Sequence, residues 1–371
     1  MAEMRNFIET ELAGLAEKLG PVADKLEGTT VLINGAGGFV GNYLVGILQH
    51  LNKTRFKKKV KIIALDNFIT GLKHSPFFDL KDKHLTFLKH DVRKPFKTKG
   101  RIDYILHAAG IASPVYYAKY PLETIATSVD GLKHTLELAR AKKVKGVAYF
   151  SSSEIYGDPH PEFIPTPEDY RGYVSSTGLR ACYDESKRLG ETLSTIYHRM
   201  YGVPVTIIRP FNVYGPGMKI NDQRVLPNFL NAALDGKPLQ IHEGGKHTRT
   251  FSYATDAADG FFRVLLLGRP GEAYNIGTDF DEISVHDLAK KVQVAHGTKV
   301  NIALIKYPEG YPIGDPTRRA PDLAKARKEL RFNPAITLDD GLPRMFTWYK
   351  LLRAQHANQT AKRQVKHPRK K

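Results

Sequence analysis

The chain has 371 residues, of which 42% are hydrophobic and 25% charged, a composition typical of a globular protein with one large or two smaller domains. No run of roughly 18 apolar residues is present and the first residues lack the order of a signal peptide, so we expect no membrane span and a cytoplasmic protein. The single cysteine, Cys182, excludes an internal disulfide and a cysteine-built zinc site, and we expect no metal.

The net charge of +18 would indicate a nucleic acid partner if it were spread along one face. Half of this excess lies instead after residue 340, where nine Lys and Arg residues meet no acidic residue. We therefore predict a disordered basic tail at 351–371 and expect no nucleic acid partner. Docking of the tail to an anionic partner is the alternative.

In chain order, residues 1–28 have apolar residues at helical spacing and predict an N-terminal helical extension. Short apolar runs then alternate with helical stretches, which is the signature of an α/β Rossmann-type fold with a doubly wound parallel sheet. The six predicted strands are 31–34, 61–65, 85–90, 104–109, 146–152 and 204–210.

Two domains follow from this pattern. Residues 29–212 form the predicted dinucleotide-binding domain, and residues 213–350 form a smaller C-terminal α/β region that we expect to bind the substrate, partly interleaved with the first domain. The predicted helices of the second region lie near 225–235, 255–267, 284–296 and 339–355.

A glycine-rich loop, Gly35 to Gly41, follows the first strand and precedes a helix, which is the context that makes such a motif specific for dinucleotides. Gly35 allows the tight turn, Gly38 lets the backbone approach the pyrophosphate, and Gly41 allows close helix packing. The amides of Phe39 and Val40 then face the phosphates at a helix N-terminus.

The second strand ends in Asp66, followed by Asn67. A carboxylate there accepts hydrogen bonds from the adenosine ribose and repels a 2′-phosphate, so the predicted cofactor is NAD and not NADP. Asp91 and Val92 end the third strand, where they would meet the adenine or lie in solvent. Ala109 ends the fourth strand and is included in the predicted cofactor site.

Tyr183 and Lys187 are spaced i and i+4 and so face the same side of a helix, while Ser152 ends a strand of the sheet. An ammonium group near the phenol would lower its pKa towards neutrality, and the serine would hold a sugar hydroxyl while the tyrosine removes its proton. A surface Tyr and Lys would be the alternative, but the glycine loop upstream favours a redox site.

Several motifs occur in the order of one known family. They are SSSEIYGDP (151–159), LRACYDESKR (179–188), RPFNVYGPGM (209–218), HTRTF (247–251) and RRAPD (318–322). Together they resemble the UDP-glucuronate decarboxylases, which are extended short-chain dehydrogenases that make UDP-xylose. The resemblance runs from about Val31 to Trp348.

The resemblance implies a redox-neutral reaction on a tightly held NAD: oxidation of C4 of the sugar, loss of the C6 carboxylate and re-reduction of C4. It also implies a homodimer formed through the helix that bears Tyr183 and its neighbour near 121–143. The substrate would be a nucleotide sugar, with a UDP-sugar favoured.

Carried over residue by residue, the resemblance implies a catalytic set of Ser152, Glu154, Tyr183, Lys187 and Arg249. The implied substrate-binding set is Tyr117, Ser153, Glu154, Asn212, Arg224, His242, Arg249 and Arg319. Among these, Ser153 and Glu154 match the pair that contacts the sugar near C5 and C6, and Asn212 and Arg319 match contacts to the diphosphate.

The Ser-Ser-Glu triplet distinguishes decarboxylation from its alternatives. Related 4,6-dehydratases place an Asp where Ser153 stands, because that acid must protonate a departing hydroxyl, whereas 4-epimerases generally lack Glu154. Departures at Asn34, Ser128, Ser175–Leu179 and His242 leave a dehydratase, or a C4 epimerase or oxidoreductase on another nucleotide sugar, as alternatives. A regulatory NAD-binding or nucleic-acid-binding protein without enzyme activity is the non-enzyme alternative, which the intact Ser-Tyr-Lys set argues against.

Overall fold

The computed structural model describes residues 2–297, 300–306 and 316–366. Its centre is a seven-stranded parallel sheet in the order β11-β6-β5-β4-β1-β2-β3. These strands are β1 (Thr30–Asn34), β2 (Lys61–Asp66), β3 (Leu85–Lys89), β4 (Tyr104–His107), β5 (Gly146–Phe150), β6 (Val205–Pro210) and β11 (Ala273–Ile276).

The helices are α1 (Ala2–Leu19), α2 (Phe39–Thr54), α3 (Pro114–Lys119), α4 (Pro121–Lys142), α5 (Ala181–Tyr201), α6 (Val225–Leu234), α7 (Ala254–Leu267), α8 (Val285–His296), α9 (Ala324–Leu330) and α10 (Leu338–Lys366). Short 3₁₀ turns occur at Gly20–Leu26, Ser153–Tyr156, Pro161–Phe163 and Glu243–Gly245. The predicted N-terminal helical extension thus corresponds to α1 and the 3₁₀ turn after it.

Helices cover both faces of the central sheet, because the strands are apolar on both sides and must be buried on both. One core contains α1, α2 and α7, with residues such as Leu15, Leu48 and Phe262 fully buried. The second core lies between the sheet and the α4–α5 pair and contains Leu132 and Tyr149. The six predicted strands and the Rossmann-type fold are confirmed.

The seventh strand, β11, was not predicted as part of this sheet. It pairs with β6, for example Tyr274 with Ile208, although it lies in the region assigned from sequence to the C-terminal domain. Helix α7 precedes β11 and packs on β5 and β6. The C-terminal region therefore contributes one strand to the central sheet as well as its own smaller elements.

The smaller elements form three additional sheets. They are β10 (Ser252–Tyr253) with β7 (Val213–Tyr214), β13 (Ile302–Ile305) with β8 (Leu239–His242), and β9 (Thr248–Arg249) between β12 (Ile283–Ser284) and β14 (Arg318–Arg319). Strand β14 pairs in parallel with β9, and the register places Arg319 opposite Arg249. This pairing brings two of the predicted substrate residues to the same place.

Helix α10 extends well beyond the predicted boundary at residue 350. It continues to Lys366, so the expectation of a disordered tail is wrong for 351–366, and 367–371 lie outside the described residues. The reason is local: residues 351–366 contain Ala, Leu, Gln, Lys and Arg, which favour helix, and no Gly or Pro. Among the described residues, we find no helix with the length and apolarity that a membrane crossing requires.

Candidate active site

The glycine loop joins β1 to α2 at the carboxyl end of the sheet. Gly35 has a φ of +79°, which only glycine adopts easily, and a Cβ on Gly41 would lie 2.2 Å from the Gly35 carbonyl oxygen. A Cβ on Gly38 would instead meet only one atom, the same oxygen at 3.3 Å. Gly38 therefore faces the open cleft where a pyrophosphate is expected, at the start of α2 with Phe39 and Val40.

This cleft has a volume of about 510 Å³. Its lining includes Gly35, Gly38, Asp66, Asn67, Val92, Ala109 and Thr127. Val92 also packs against Gly131 of α4, which has no side chain to hold it away. Six of the twelve predicted cofactor residues thus line one cleft, and its position at the ends of parallel strands fits a dinucleotide.

Asp66 lies at the bottom of the cleft and is 7% exposed. Its two carboxylate oxygens accept the amide N–H groups of Gly37 at 2.9 Å and Phe68 at 2.7 Å. Burial raises the pKa of Asp66, and the two amides and the charge of Lys219 oppose this effect. A carboxylate fixed in this way presents negative charge where a 2′-phosphate would lie, which fits NAD.

Asp91 has a different environment from the one predicted. Both of its oxygens are bound by the guanidinium of Arg93 at 2.6–3.0 Å, and this ion pair lowers the pKa of Asp91. The neighbouring Val92 lines the cleft, whereas Asp91 faces Arg93. Val92 therefore lies in the cleft, while the contact of Asp91 with the adenine stays a prediction.

Tyr183 and Lys187 lie on one face of α5, next to the end of β5. The Lys187 ammonium donates to the Phe150 carbonyl at 2.7 Å and lies 5.8 Å from the centre of the Tyr183 ring. Gly110 leaves room for it, since a Cβ there would lie 3.3 Å from Nζ. Tyr117 stacks on Tyr183 with ring centres 5.4 Å apart.

The expected lowering of the Tyr183 pKa is not what the free protein shows. Burial raises the pKa of Tyr183 to about 12, and a hydrogen bond with Ser152 opposes this effect. Burial also lowers the pKa of Lys187 to about 8, against the charge of Glu191. Burial is the largest effect on the Tyr183 pKa, and the Lys187 ammonium donates its hydrogen bond to the Phe150 carbonyl.

The Ser-Ser-Glu triplet begins a 3₁₀ turn directly after β5. The Ser152 hydroxyl accepts the amide of Glu154 at 3.2 Å, and Ser153 is 3% exposed. Arg319 donates to both carboxylate oxygens of Glu154 at 2.8 and 2.6 Å, and Arg180 donates to one of them at 2.6 Å. The turn thus places an ionised carboxylate between two arginines beside the serine.

These cations determine the protonation of Glu154. Burial acts to raise its pKa, but Arg319, Arg180 and Arg249 together lower the pKa of Glu154 to about 2. Arg249 itself donates to the Thr248 carbonyl at 2.8 Å. Glu154 is therefore ionised at neutral pH although it is buried.

Arg180 is a residue of the site that was not predicted from the sequence. It stands three residues before Tyr183, so it begins the same helix face, and it is 7% exposed. The motif gave a signal, because an arginine directly before A-C-Y-D can reach whatever the tyrosine faces. The sequence could not show that its partner would be Glu154, which comes from another loop.

Three further predicted substrate residues, Asn212, Arg224 and His242, make contacts with other parts of the chain. The Asn212 amide donates to the Thr250 carbonyl at 2.9 Å, and Arg224 forms a bidentate ion pair with Asp222 at 2.6–2.9 Å. His242 lies at the end of β8, where Nδ1 is 3.2 Å from the Lys306 carbonyl oxygen. This contact lies at the β8–β13 edge.

The fold and this geometry define a dinucleotide-dependent sugar enzyme, and comparison with known proteins agrees. Residues 31–277 match the NAD dependent epimerase/dehydratase family. The chain belongs to this family and is an NAD-dependent enzyme. No group of His, Cys, Asp or Glu side chains suited to a metal ion occurs within 2–297, 300–306 and 316–366.

Within this family, curated relatives with high similarity to the chain are UDP-glucuronic acid decarboxylases. The chain is 37% identical over 330 residues to UDP-glucuronic acid decarboxylase 5 of Arabidopsis thaliana, which covers 88% of this chain and 91% of the relative. It is 32% identical over 360 residues to UDP-glucuronic acid decarboxylase 1 of Xenopus tropicalis, which covers 96% of this chain and 81% of the relative.

Solved structures with the same fold include two epimerases. One is epimerase Mth375 from Methanothermobacter thermautotrophicus, with a TM-score of 0.76, 25% identity, and coverage of 92% of this chain and 97% of that one. The other is a variant of UDP-glucuronic acid 4-epimerase from Bacillus cereus in complex with NAD and a UDP-4-deoxy-4-fluoro-glucuronic acid, with a TM-score of 0.72, 25% identity, and coverage of 87% and 100%.

Proposed function

We propose that this protein converts UDP-glucuronate to UDP-xylose and carbon dioxide with internal recycling of NAD. The observation that carries the proposal is the buried Glu154 carboxylate between Arg180 and Arg319, next to Ser152 and Tyr183. Two guanidinium groups at this position suit a sugar that brings a carboxylate of its own. The two curated relatives described above are named UDP-glucuronic acid decarboxylases, which supports UDP-glucuronate as the substrate.

NAD, when bound at the glycine loop, supplies a reversible two-electron acceptor for C4 of the sugar. The protein supplies the proton chemistry: Tyr183 takes the proton of the C4 hydroxyl while Ser152 holds the oxygen. We propose that the positive charge of Lys187, on the same helix face and 5.8 Å from the centre of the Tyr183 ring, acts against the effect of burial and favours the phenolate during the reaction.

The resulting C4 ketone lies β to the C6 carboxylate. The C5–C6 bond breaks, carbon dioxide leaves, and the electron pair left at C5 spreads into the C4 carbonyl, whose oxygen Ser152 and Tyr183 stabilise. C5 then takes up a proton, C4 is reduced again, and Tyr183 returns its proton to the C4 oxygen. No added reductant is required.

The charges near Glu154 indicate which residues act at C5 and at the C6 carboxylate of the sugar. Because the pKa of Glu154 is about 2, this residue acts as an ionised carboxylate and not as the acid that protonates C5. We propose that Arg249, whose charge also reaches Glu154, acts at the C5 proton, as the family resemblance implies. We propose that Arg319 acts at the sugar carboxylate as well as near the diphosphate, because it contacts Glu154 directly.

We also propose a homodimer and a cytoplasmic location. On the solvent side of α4 and α5, Leu122 is 76% exposed and Met200 66%, with Leu189 and Ile196 beside them. Two adjacent helices with such a face can pair with the same face of a second copy to form a four-helix bundle. The location is supported by the single cysteine, which suits a reducing compartment.

The test of the function is direct. Purified protein incubated with UDP-glucuronate and no added cofactor should form UDP-xylose and carbon dioxide, followed by NMR. Formation of UDP-galacturonate would instead identify a C4 epimerase, and an unchanged spectrum alongside turnover of another nucleotide sugar would show that the proposed substrate is wrong.

A further inference from the structure

A buried polar junction lies beneath the site, centred on Arg209 at the end of β6. Arg209 is 8% exposed, and its Nε and Nη2 donate to the two carboxylate oxygens of Glu191 at 2.9 and 2.7 Å. Its Nη1 donates to the Tyr156 hydroxyl oxygen and to the Glu168 carbonyl, each at 2.7 Å. One guanidinium thus links α5, the 3₁₀ turn after β5 and the 166–168 loop.

Tyr156 connects this junction to the turn that carries Glu154. It is the last residue of the Ser153–Tyr156 turn that carries Glu154, and it is 1% exposed. Its hydroxyl accepts from Arg209 and donates to Asn275 Oδ1 at 2.7 Å. The turn bearing Glu154 is therefore anchored to β11 through one phenol oxygen.

Asn275 continues the connection to Arg319. Its amide donates to the Thr166 carbonyl at 2.9 Å and to the Asp322 carbonyl at 3.2 Å. The Thr166 amide in turn donates to the Ala320 carbonyl at 2.8 Å, directly after Arg319. The two partners of the Glu154–Arg319 ion pair are thus held by the same asparagine from two sides.

The redox residues are anchored through Glu191, which uses a different part of the Arg209 guanidinium from Tyr156. The Ser151 hydroxyl donates to Glu191 at 2.6 Å, and Ser151 precedes Ser152 on the chain. Glu191 lies one turn after Lys187 on α5 and is bonded by Nε and Nη2 of Arg209, whereas Tyr156 is bonded by Nη1, so removal of the Tyr156 hydroxyl leaves both bonds to Glu191.

From this arrangement we propose that Tyr156 is a positioning residue for decarboxylation: its hydroxyl sets Glu154 against Arg319 while leaving the Ser152-Tyr183-Lys187 set in place. The inference rests on the proposed function. A displacement on the order of 1 Å in such a site can cost up to about a hundredfold in rate. The ion pair at 2.6–2.8 Å leaves little room for such a shift.

The test is Tyr156→Phe, which keeps the ring and removes only the hydroxyl. We expect kcat with UDP-glucuronate to fall by about tenfold or more. Decarboxylation should then limit the rate, so the carbon-13 isotope effect at C6 should rise and the deuterium effect at C4 should shrink towards unity. A general loss of packing would slow both steps and leave this balance unchanged.

Tyr170→Phe is the matched control. The Tyr170 ring lies 6.3 Å from that of Tyr156, but its hydroxyl accepts from the exposed His160 amide outside the junction. This variant should keep the wild-type rate and isotope effects. Asn275→Leu, which removes the same connection from the other side, should reproduce the isotope pattern of Tyr156→Phe, and thermal unfolding of each variant checks that it is folded.

Two outcomes would overturn the inference: an unchanged kcat in Tyr156→Phe, or a reduced kcat with the wild-type isotope effects. Neither is confused with failure of the proposed function. If the wild-type protein releases no carbon dioxide from UDP-glucuronate, the proposed function is wrong. If the wild type decarboxylates normally and Tyr156→Phe does so equally well, only the positioning role of Tyr156 is wrong.

Discussion

Burial and charge act in opposite directions on the titratable side chains of the site. Burial raises the pKa of Tyr183 to about 12 and lowers that of Lys187 to about 8. For Glu154 the arginines prevail and the pKa is about 2. The difference lies in contact: Glu154 shares hydrogen bonds with its cations, whereas Lys187 bonds to a carbonyl.

Tyr183→Phe removes the hydroxyl of the proposed base, and with it the hydrogen bond to Ser152, but keeps the ring. We expect turnover of UDP-glucuronate to fall by about 10²- to 10⁴-fold, because this is the range that general acid–base catalysis contributes. NAD should remain bound, since the glycine loop and Asp66 are untouched. Product formation by NMR and the NAD content of the purified variant are the measurements, and near-normal activity would contradict the assignment.

Arg319→Met should change the pH dependence of the residual activity. In the wild type Glu154 stays ionised at every pH above about 2 and gives no acidic limb in the neutral range. Without Arg319 the effect of burial is less opposed, so the pKa of Glu154 rises and activity should fall as pH is lowered.

The measurement is kcat/KM over roughly pH 5 to 9. The control is Arg318→Met, which removes an arginine bonded to Glu282 instead of Glu154. If Arg319→Met and the wild type lose activity at the same acidic pH, Arg319 does not set the protonation of Glu154.

At the scale of elements, α1 is held by buried charges as well as by its apolar face. Lys18 pairs with Asp256, whose side chain is fully buried and also accepts the amides of Ala335 and Ile336. Glu11 accepts from the Tyr253 hydroxyl at 2.9 Å, and burial raises the pKa of Glu11. Helix α1 thus supports the start of α7, which begins five residues after Arg249, the last residue of β9.

Lys18→Met should destabilise the protein by about 1–3 kcal/mol, because it leaves the buried Asp256 with its backbone donors but no counter-charge. Lys53→Met is the control: its pair with Glu9 spans 3.7 Å with a side chain that is 58% exposed, and its loss should cost under about 0.5 kcal/mol. Denaturant unfolding measures both, and equal effects would show that the Lys18 pair contributes no more than a surface pair.

At the scale of the whole molecule, the sheet order collects the site from distant parts of the chain. Strands β1, β4 and β5 are adjacent, so the glycine loop, Ala109 and the Ser152 turn meet at one edge. The β9–β14 pairing then brings Arg249 and Arg319 over that edge from the C-terminal region. The exposed apolar stripe of α5 lies on the side away from this site.

The proposed dimer gives a prediction at this scale. Ile196→Glu combined with Met200→Glu places charge on the exposed face of α5 and should yield a monomer, since like charges would face each other across a two-fold interface. Val294→Glu, at a position on α8 that is 81% exposed, should leave the assembly unchanged. Sedimentation velocity distinguishes the outcomes, and an unaltered assembly of the double variant would exclude this interface.

The fold class, the cofactor and the family of this protein could be determined from the sequence alone. The glycine spacing, the acid after β2 and the Tyr-Lys pair act over a few residues, where backbone geometry and helix periodicity are local, so fold class, NAD and family could be predicted. The end of α10 was equally local and was still mispredicted, because net charge was given more weight than helix propensity.

Only the tertiary structure decided which charges meet. Arg180 precedes Tyr183 in the sequence and Arg319 lies near the C-terminus, yet both contact Glu154, and β11 completes a sheet that seemed to end at β6. Such pairings depend on crossover connections and strand order, which no local pattern encodes. Their result, a buried carboxylate kept ionised by two arginines, is a property of the assembled site and not of any single motif.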